Sequence, residues 1–368
     1  MFNSSKFGSS RLLVLSSLFE NDQMHGSKVR NISTRSALEA MNYDFDCKYI
    51  SSKPWAEPLK TLGLALWLRR NYASYGAIIC QTPFIVLLLK LSTSKIPLII
   101  ELGECQTLHL SRLPRTLQNR IRYAIWYLIE ATAASCASFF VAISDQEARE
   151  WVRLFPRLNK KVRVVNHSIA WTAKPPASTK EEVLAKTNSP IDDKIVCFVG
   201  AISGKQNLAA VKWIVENLAP NLPESVSILL CGEGSEQFQR EGGAGAKVKG
   251  LGFVADVDSV IGASDLCIAP LASGAGVKTK VLHYFAHGKQ VVGTKLAFEG
   301  LTLTSGMIEC DLNNFAHKVQ EVLETVEDPA CTQDRLAKQS EWLDQFYGKE
   351  QVARQWNAVI VDALSVVP

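Results

Sequence analysis

The segment Ser264–Leu301 most constrains what this chain can fold into. An apolar run, a glycine loop (273–276), a helical pattern (277–287) and a second apolar run follow one another without a gap. This order is typical of a parallel α/β sheet. Lys278 and Lys280 fall in the first helical turn, where free amides and positive charge favour a bound anion. The segment therefore predicts a phosphate-binding corner, although a lone glycine loop is more often an ordinary strand–helix connection.

The same alternation of strands and helices runs through both halves of the chain. Residues 172–190 interrupt it with prolines, lysines and small polar residues, and we assign them to a domain linker. Because 368 residues exceed the usual size of a single core, we predict two α/β domains, residues 1–171 and 191–342. A final helical segment, 343–368, either ends the second domain or returns to the first. Other helical patterns are predicted over 27–40, 59–72, 113–135 and 207–218.

Charge is divided unequally between the two halves. Residues 1–170 hold 22 lysines and arginines against 12 acidic residues, whereas residues 171–368 hold 18 against 24. The basic half either faces an anionic partner, such as a phosphorylated ligand, a membrane surface or nucleic acid, or complements the acidic half across a cleft. Within it, residues 113–135 mix arginines with aromatic residues. That mixture is typical of a membrane-interface helix, or of an amphipathic helix covering the sheet.

Nine scattered cysteines without a CxxC pair indicate a reducing compartment and no structural zinc. The apolar run near the N-terminus lacks a cleavage site and reads as a first strand rather than a signal peptide. No apolar run reaches the roughly 20 residues of a spanning helix. We therefore expect a cytoplasmic protein without metal or cofactor, with a peripheral position at the inner face of the membrane as an alternative.

Several motifs in the second half resemble those of a known enzyme family. They are FVGAISGKQN, LLCGEG, GLGFVADV, SDLCIAPLASGAGVKTKVL, AHGKQVVGT and FEGL. Their order and spacing are similar to those of the retaining, family 4-like nucleotide-sugar glycosyltransferases with two facing Rossmann-like domains, the GT-B fold. The first half is similar more loosely, through HGSKVR, IIELGEC, VAISDQE and VRVVNHSI. The resemblance implies a sugar donor on the second domain, an acceptor on the first, and a last helix that crosses back to the first domain.

The resemblance also implies site residues. The catalytic candidates are Lys278, His283, Glu101 and His109. In the resemblance, Lys278 stabilises the leaving diphosphate, and one of Glu101, Glu104 and His109 activates an acceptor hydroxyl. His283 stands where many members carry a glutamate, and an imidazole lacks the paired acceptors with which a carboxylate holds a ribose. The acceptor-side candidates are Arg30, Glu101, Glu104 and His109. The donor-binding candidates are Gly26, Ser27, Gly200, Lys205, Asn207, Gly232, Gly252, Phe253, Val254, Gly274, Ala275, Gly276, Val277, Lys278, His283 and Glu299.

From the residues and the resemblance together, we expect an enzyme that transfers a sugar from a nucleoside diphosphate to a sugar, lipid-linked or other glycoconjugate acceptor. Retention of configuration and a role in polysaccharide or glycoconjugate biosynthesis follow from the resemblance alone. A nucleotide-sugar-binding subunit that has lost catalysis is the alternative, with His283 as the sign of that loss. An epimerase would need an acid–base pair that the sequence does not supply, and nucleic-acid binding has no motif.

Overall fold

The computed structural model describes residues 11–16, 26–50, 58–92, 96–102, 105–168, 173–241, 243, 245–274, 276–325 and 328–365. Two compact units divide the chain. The first joins Met1–Trp171 to Phe346–Pro368, and the second is Thr172–Gln345. Each unit is a largely parallel sheet with helices packed against it, which confirms the predicted α/β class.

The first unit contains a six-stranded parallel sheet in the order β2-β1-β3-β4-β5-β6. Its central strands are apolar runs buried along nearly their whole length, as strands covered on both faces are. The strands are β1 (Arg11–Ser16), β2 (Phe45–Tyr49), β3 (Tyr75–Cys80), β4 (Leu98–Glu101), β5 (Phe139–Ala142) and β6 (Val162–Val164). The helices are α1 (Gly26–Ala40), α2 (Pro58–Asn71), α3 (Val86–Ser92), α4 (Gln106–Ser111), α5 (Leu117–Cys136), α6 (Asp145–Leu154) and the last helix of the chain, α13 (Lys349–Ser365).

Apolar cores lie on both faces of this sheet. On one face, α2, α3, α5 and α6 contribute side chains such as Leu68, Leu89 and Trp151. On the other, α1 packs against α13, whose Trp356 and Ile360 are fully buried. The last helix of the chain is therefore part of the core of the first unit.

The second unit contains a seven-stranded sheet in the order β13-β12-β11-β7-β8-β10-β9. All its pairings are parallel except that between β10 and the edge strand β9. The strands are β7 (Lys194–Val199), β8 (Val226–Cys231), β9 (Gln239–Arg240), β10 (Lys247–Gly252), β11 (Leu266–Ala269), β12 (Val291–Gly293) and β13 (Met307–Glu309). The helices are α7 (Lys180–Lys186), α8 (Lys205–Trp213), α9 (Val257–Ala263), α10 (Thr279–Ala286), α11 (Phe315–Glu324) and α12 (Pro329–Tyr347).

The segment that we assigned to a linker is partly folded. Thr179 caps α7 in a capping box with Glu182, and Val183 and Leu184 are buried in the core of the second unit. The composition of residues 172–190 masked this element because α7 offers only two buried apolar side chains. Among the described helices, none combines the length and apolar character that crossing a bilayer requires.

The connections of the second sheet create a point where the strand order reverses. From β7 the chain builds β8 and β10 on one side, then returns to place β11, β12 and β13 on the other. Strands β7 and β11 are neighbours, but the loop after β7 leads to one side of the sheet and the loop after β11 leads to the other. In open parallel sheets, ligands bind beside the carboxyl ends of strands at such a point.

Candidate functional site

Three glycines hold together the loops that follow β7, β8 and β10. The amide of Gly200 donates to the carbonyl of Cys231 (2.8 Å), and the amide of Gly232 donates to the carbonyl of Gly252 (2.7 Å). Gly232 has φ +147°, and a Cβ placed on it would lie 2.3 Å from the Gly200 carbonyl oxygen. Backbone therefore meets backbone at this edge of the sheet, with no room for a side chain between the loops.

The loop after β11 lies against the start of α8. Gly274 and Gly276 have positive φ (+119° and +72°), a conformation that favours glycine. A Cβ on Gly274 would lie 3.2 Å from Oε1 of Gln206, and Lys280 Nζ donates to Oδ1 of Asn207 over 2.8 Å. The two loops at the reversal point of the sheet therefore meet, as their glycine patterns predict. Ala275 lies outside the described residues, and Val277 continues the loop.

Two lysines converge on this corner. Lys278 is buried at the N-cap of α10 and donates to the Gly276 carbonyl (2.7 Å). Lys280 Nζ lies 4.0 Å from the centroid of the Phe198 ring. Burial lowers the pKa of Lys280 to about 7, and the charge of Lys278 adds to the decrease. Because the ammonium of Lys280 contacts an amide and a ring rather than a carboxylate, an anion binding here would stabilise its charged form.

Helix α10 is anchored to the sheet close to this corner. The hydroxyl of Tyr284, which is fully buried, accepts a hydrogen bond from the amide of Val199 at the end of β7 (2.8 Å). This contact anchors α10, which begins beside Lys278 and carries Lys280 in its first turn, to the end of β7. Free amides at the start of this helix favour an anion in addition to the two lysines.

Other predicted donor residues lie at the same edge of the sheet. Phe253, directly after β10, is 60% exposed, and the amide of the preceding Gly252 is fixed by a hydrogen bond to Ser235 Oγ (2.9 Å). Val254 follows and packs partly against the core. Lys205 is exposed at the start of α8, and Glu299 lies in the turn that follows β12. These residues follow the carboxyl ends of β10, β7 and β12.

The side chain of His283, which belongs to α10, contacts α9 rather than open space. Its Nε2 lies 2.7 Å from Oδ1 of Asp258 on α9, and Nε2 of His287 lies 2.8 Å from the same oxygen. Sequence reasoning missed Asp258 and His287. The spacing of His283 and His287, four residues apart in a helical segment, was the signal that could have found the pair.

In the first unit, Glu101 is buried at the end of β4 and both of its carboxylate oxygens are engaged. Oε1 accepts from Nε of Arg30 (2.8 Å), Oε2 accepts from Nε2 of Gln81 (2.7 Å), and the hydroxyl of Thr34 lies within 3.0 Å of both oxygens. Arg30 is also buried. Three donors already occupy a carboxylate that offers about four lone-pair sites, so this geometry counts against Glu101 as the base, and its role stays a prediction. Arg30 and Glu101 instead tie α1 to the sheet.

After Arg30 and Glu101, His109 is the third acceptor-side candidate among the described residues. It lies half-buried on α4, an element that the sequence did not predict. The buried carboxylate of Glu130 creates the start of this helix, because it accepts from the amides of Gln106 (2.8 Å) and Thr107 (3.2 Å). Gly26 begins α1, but the side chain of Ser27 and all of Glu104 lie outside the described residues.

Comparisons with known proteins find one family match and several similar structures. Residues 193–325 match the family described as glycosyl transferases group 1. HepE of Anabaena, solved in complex with UDP and glucose, has a TM-score of 0.69 and 14% identity over 96% of this chain and 100% of its own. A glycosyltransferase from Rickettsia africae has a TM-score of 0.65 and 11% identity over 98% of this chain and 100% of its own.

A third structure, WaaG, a glycosyltransferase involved in lipopolysaccharide biosynthesis, has a TM-score of 0.60 and 12% identity over 95% of this chain and 99% of its own. A comparison with curated proteins finds no match. At these identities the structural likeness establishes the fold, while the family match covers most of the second unit. Together they support a glycosyltransferase of the GT-B fold.

Proposed function

We propose that this protein transfers a sugar from a nucleoside diphosphate to an acceptor, with retention of configuration, in polysaccharide or glycoconjugate biosynthesis. The observation that carries the proposal is the pair of lysines, buried Lys278 and half-buried Lys280, beside the glycine loops at the reversal point of the second sheet. A diphosphate is the ligand that this combination of free amides and two ammonium groups suits best.

The same groups suit the chemistry of the transfer. Negative charge develops on the diphosphate as its bond to the sugar breaks. Ammonium groups and amides already fixed in place stabilise that charge without a proton transfer. Lys278 is fixed by its bond to Gly276 and Lys280 by its bond to Asn207, so little reorganisation is needed when the charge appears.

Uridine diphosphate sugars are the first donors to test. HepE is solved with UDP and with UDP-glucose, which makes the uridine nucleotides a natural choice for this chain too. The exposed ring of Phe253, at the end of β10, offers a flat apolar surface against which a base can stack.

The test is to incubate the protein with UDP, GDP and ADP sugars and to follow release of the nucleoside diphosphate, with and without acceptors. We expect release with one donor class. Binding without release, with every acceptor present, would instead favour the alternative of a binding subunit.

Replacement of one lysine tests the site itself. Lys278→Ala should weaken UDP binding about 10- to 100-fold, because a hydrogen bond to a charged group contributes about 1.5–3 kcal/mol. Lys212→Ala is the matched control, since Lys212 is exposed on the neighbouring helix α8 and its loss removes the same charge. Isothermal titration of both variants with UDP gives the comparison, and equal affinity would remove Lys278 from the site.

We further propose that the first unit binds the anionic inner face of the membrane through the outer surface of α2, α3 and α5. Nine of the thirteen exposed large hydrophobic side chains in the described part of the chain lie on these helices. Neighbouring helices carry them, because α3 contacts both α2 and α5. They are Leu62, Leu66, Leu87, Leu91, Leu117, Ile121, Ile125, Tyr127 and Leu128.

The charge of this surface supports an anionic partner. The sequences of α2 and α3 contain no acidic residue, and the one in α5, Glu130, is buried. Exposed arginines border the apolar side chains, at positions 69, 70, 115, 120 and 122. Apolar residues with arginines at their border are what an interfacial helix presents to anionic lipid. A membrane-bound acceptor would lie close to the protein in this arrangement.

Sedimentation with vesicles tests this surface. We expect binding to phosphatidylglycerol vesicles at low salt, weaker binding at high salt, and loss of binding in the double variant Ile121→Gln, Ile125→Gln. Leu303→Gln is the control, because Leu303 is equally exposed but lies in the second unit. Dimerisation in place of vesicle binding would show that the surface pairs with another copy.

A further inference from the structure

Helices α9 and α10 bring together three side chains of the types that bind metal ions. The ligand atoms of Asp258, His283 and His287 lie within 4.8 Å of one another. The two histidines are one helical turn apart, so their rings lie on the same side of α10, with 5.4 Å between centroids. Two imidazoles and one carboxylate form a donor set found in zinc and iron(II) sites.

The hydrogen bonds within this cluster are crowded on one atom. Oδ1 of Asp258 lies 2.7 Å from Nε2 of His283 and 2.8 Å from Nε2 of His287. It also accepts from the amide of Lys174 over 3.1 Å. A carboxylate oxygen offers two lone pairs, so these three nitrogen atoms cannot all donate to it. One cation bound by the two imidazoles and the carboxylate would relieve this crowding.

The dimensions of the cluster are close to those of a metal site. Ligand atoms about 2.0–2.1 Å from a tetrahedral zinc ion are about 3.3 Å apart. The two contacts to Asp258, 2.7 and 2.8 Å long, would therefore open by about half an ångström when an ion binds. Asp258 and His287 are almost wholly buried, whereas the side chain of His283 is 17% exposed, so an ion can enter from its side.

We propose that Asp258, His283 and His287 bind one divalent transition-metal ion, such as Zn²⁺, and so join α9 to α10. This departs from our expectation of a protein without metal. The proposal does not depend on sugar transfer, because it rests on three side chains and not on the lysine corner. An ion bound here also accounts for a histidine at position 283, where the resemblance leads us to expect a glutamate.

Zinc titration of the chelator-treated protein tests the site. We expect one zinc ion per chain by calorimetry and a rise in Tm, because a ligand that binds the folded state stabilises it. Loss of an outer-shell partner weakens metal binding by about 10- to 100-fold. Asp258→Asn and His287→Gln each remove a direct ligand, so each should weaken binding by at least that factor. His317→Ala should bind as the wild type does, since His317 is 84% exposed on α11.

Cobalt(II) provides a second measurement that needs no variant. Visible absorption bands of four- or five-coordinate cobalt, saturating at one equivalent and lost on addition of Zn²⁺, would support the site. The proposal is overturned if the wild type shows no saturable metal binding, or if folded Asp258→Asn and His287→Gln proteins, checked by circular dichroism, bind zinc as tightly as the wild type.

Discussion

Single side chains decide whether the corner between the loops after β7 and β11 binds a diphosphate. Lys280 is half-buried, and its ammonium group contacts Asn207 at the start of α8. An ammonium group held there is destabilised until an anion arrives. Ligand binding and protonation of Lys280 are therefore coupled.

This coupling predicts that UDP binds less tightly as the pH rises. The pKa of Lys280 is about 7 in the free protein, and a bound diphosphate raises it, so binding takes up a proton. Above about pH 7.5 the diphosphate no longer titrates, since its terminal phosphate has a pKa of about 6. Affinity should then fall by about tenfold per pH unit.

Calorimetry in buffers of different ionisation enthalpy measures both the affinity and the proton uptake. Lys280→Arg is the control, because arginine stays charged across this range and should abolish the slope. UDP binding without proton uptake by the wild type would contradict the assignment of Lys280 as the group that is protonated.

Gly232 provides a second prediction at the scale of one residue. Gly232→Ala places a methyl group 2.3 Å from the Gly200 carbonyl and requires a non-glycine residue at positive φ. Gly243→Ala is the matched control, because Gly243 also has positive φ (+109°) but a Cβ there meets nothing within 4 Å. We expect the first change to cost about 1–3 kcal/mol more in free energy of unfolding than the second. Urea titration measures the difference, and equal costs would show that the close backbone approach is unimportant.

At the scale of helices and strands, the sequence predicted most of the sheets and part of the site. Strands such as β8 and β11 are short apolar runs between turn residues, and that pattern survives in any context. Helix α4 was missed because its start depends on Glu130, more than twenty residues further along the chain. The Asp258 cluster was missed for the same reason, since the pairing of α9 with α10 exists only in three dimensions.

The final helical segment shows how a pattern can be right about burial and wrong about continuity. Apolar spacing predicted one final helix over residues 343–368, whereas α12 ends at Tyr347 and α13 begins at Lys349. Trp342 of α12 packs against Phe285 in the second unit, and Trp356 of α13 is buried in the first. Periodicity reports a buried face but not which core buries it.

Loss of one α13 side chain should therefore destabilise the first unit. Trp356→Ala removes a fully buried ring and should cost about 3–5 kcal/mol in free energy of unfolding. Arg354→Ala on the exposed side of the same helix should change it by no more than about 0.5 kcal/mol. Limited proteolysis with mass spectrometry would locate the change, and early cleavage confined to the second unit would contradict the prediction.

For the whole molecule, the division into units does not follow chain order. The first unit is built from both ends of the described chain, while the second is one continuous segment. Deletion of residues 346–368 should consequently leave the second unit folded and able to bind UDP, while the first unit loses the helix that covers α1. Calorimetry and hydrogen exchange of the shortened chain test this, and loss of protection in the second sheet would refute it.

The position of α13 also sets an order for folding during synthesis. The first unit emerges from the ribosome early, but its core stays incomplete until the 174 residues of the second unit, Thr172–Gln345, and then α13 have been made. At about 5–20 residues per second, this delay lasts about 10–35 s. For that time the apolar surface of α1 that α13 covers is exposed. The unit whose synthesis begins first is the one whose folding finishes last, and chaperones have their longest access to it.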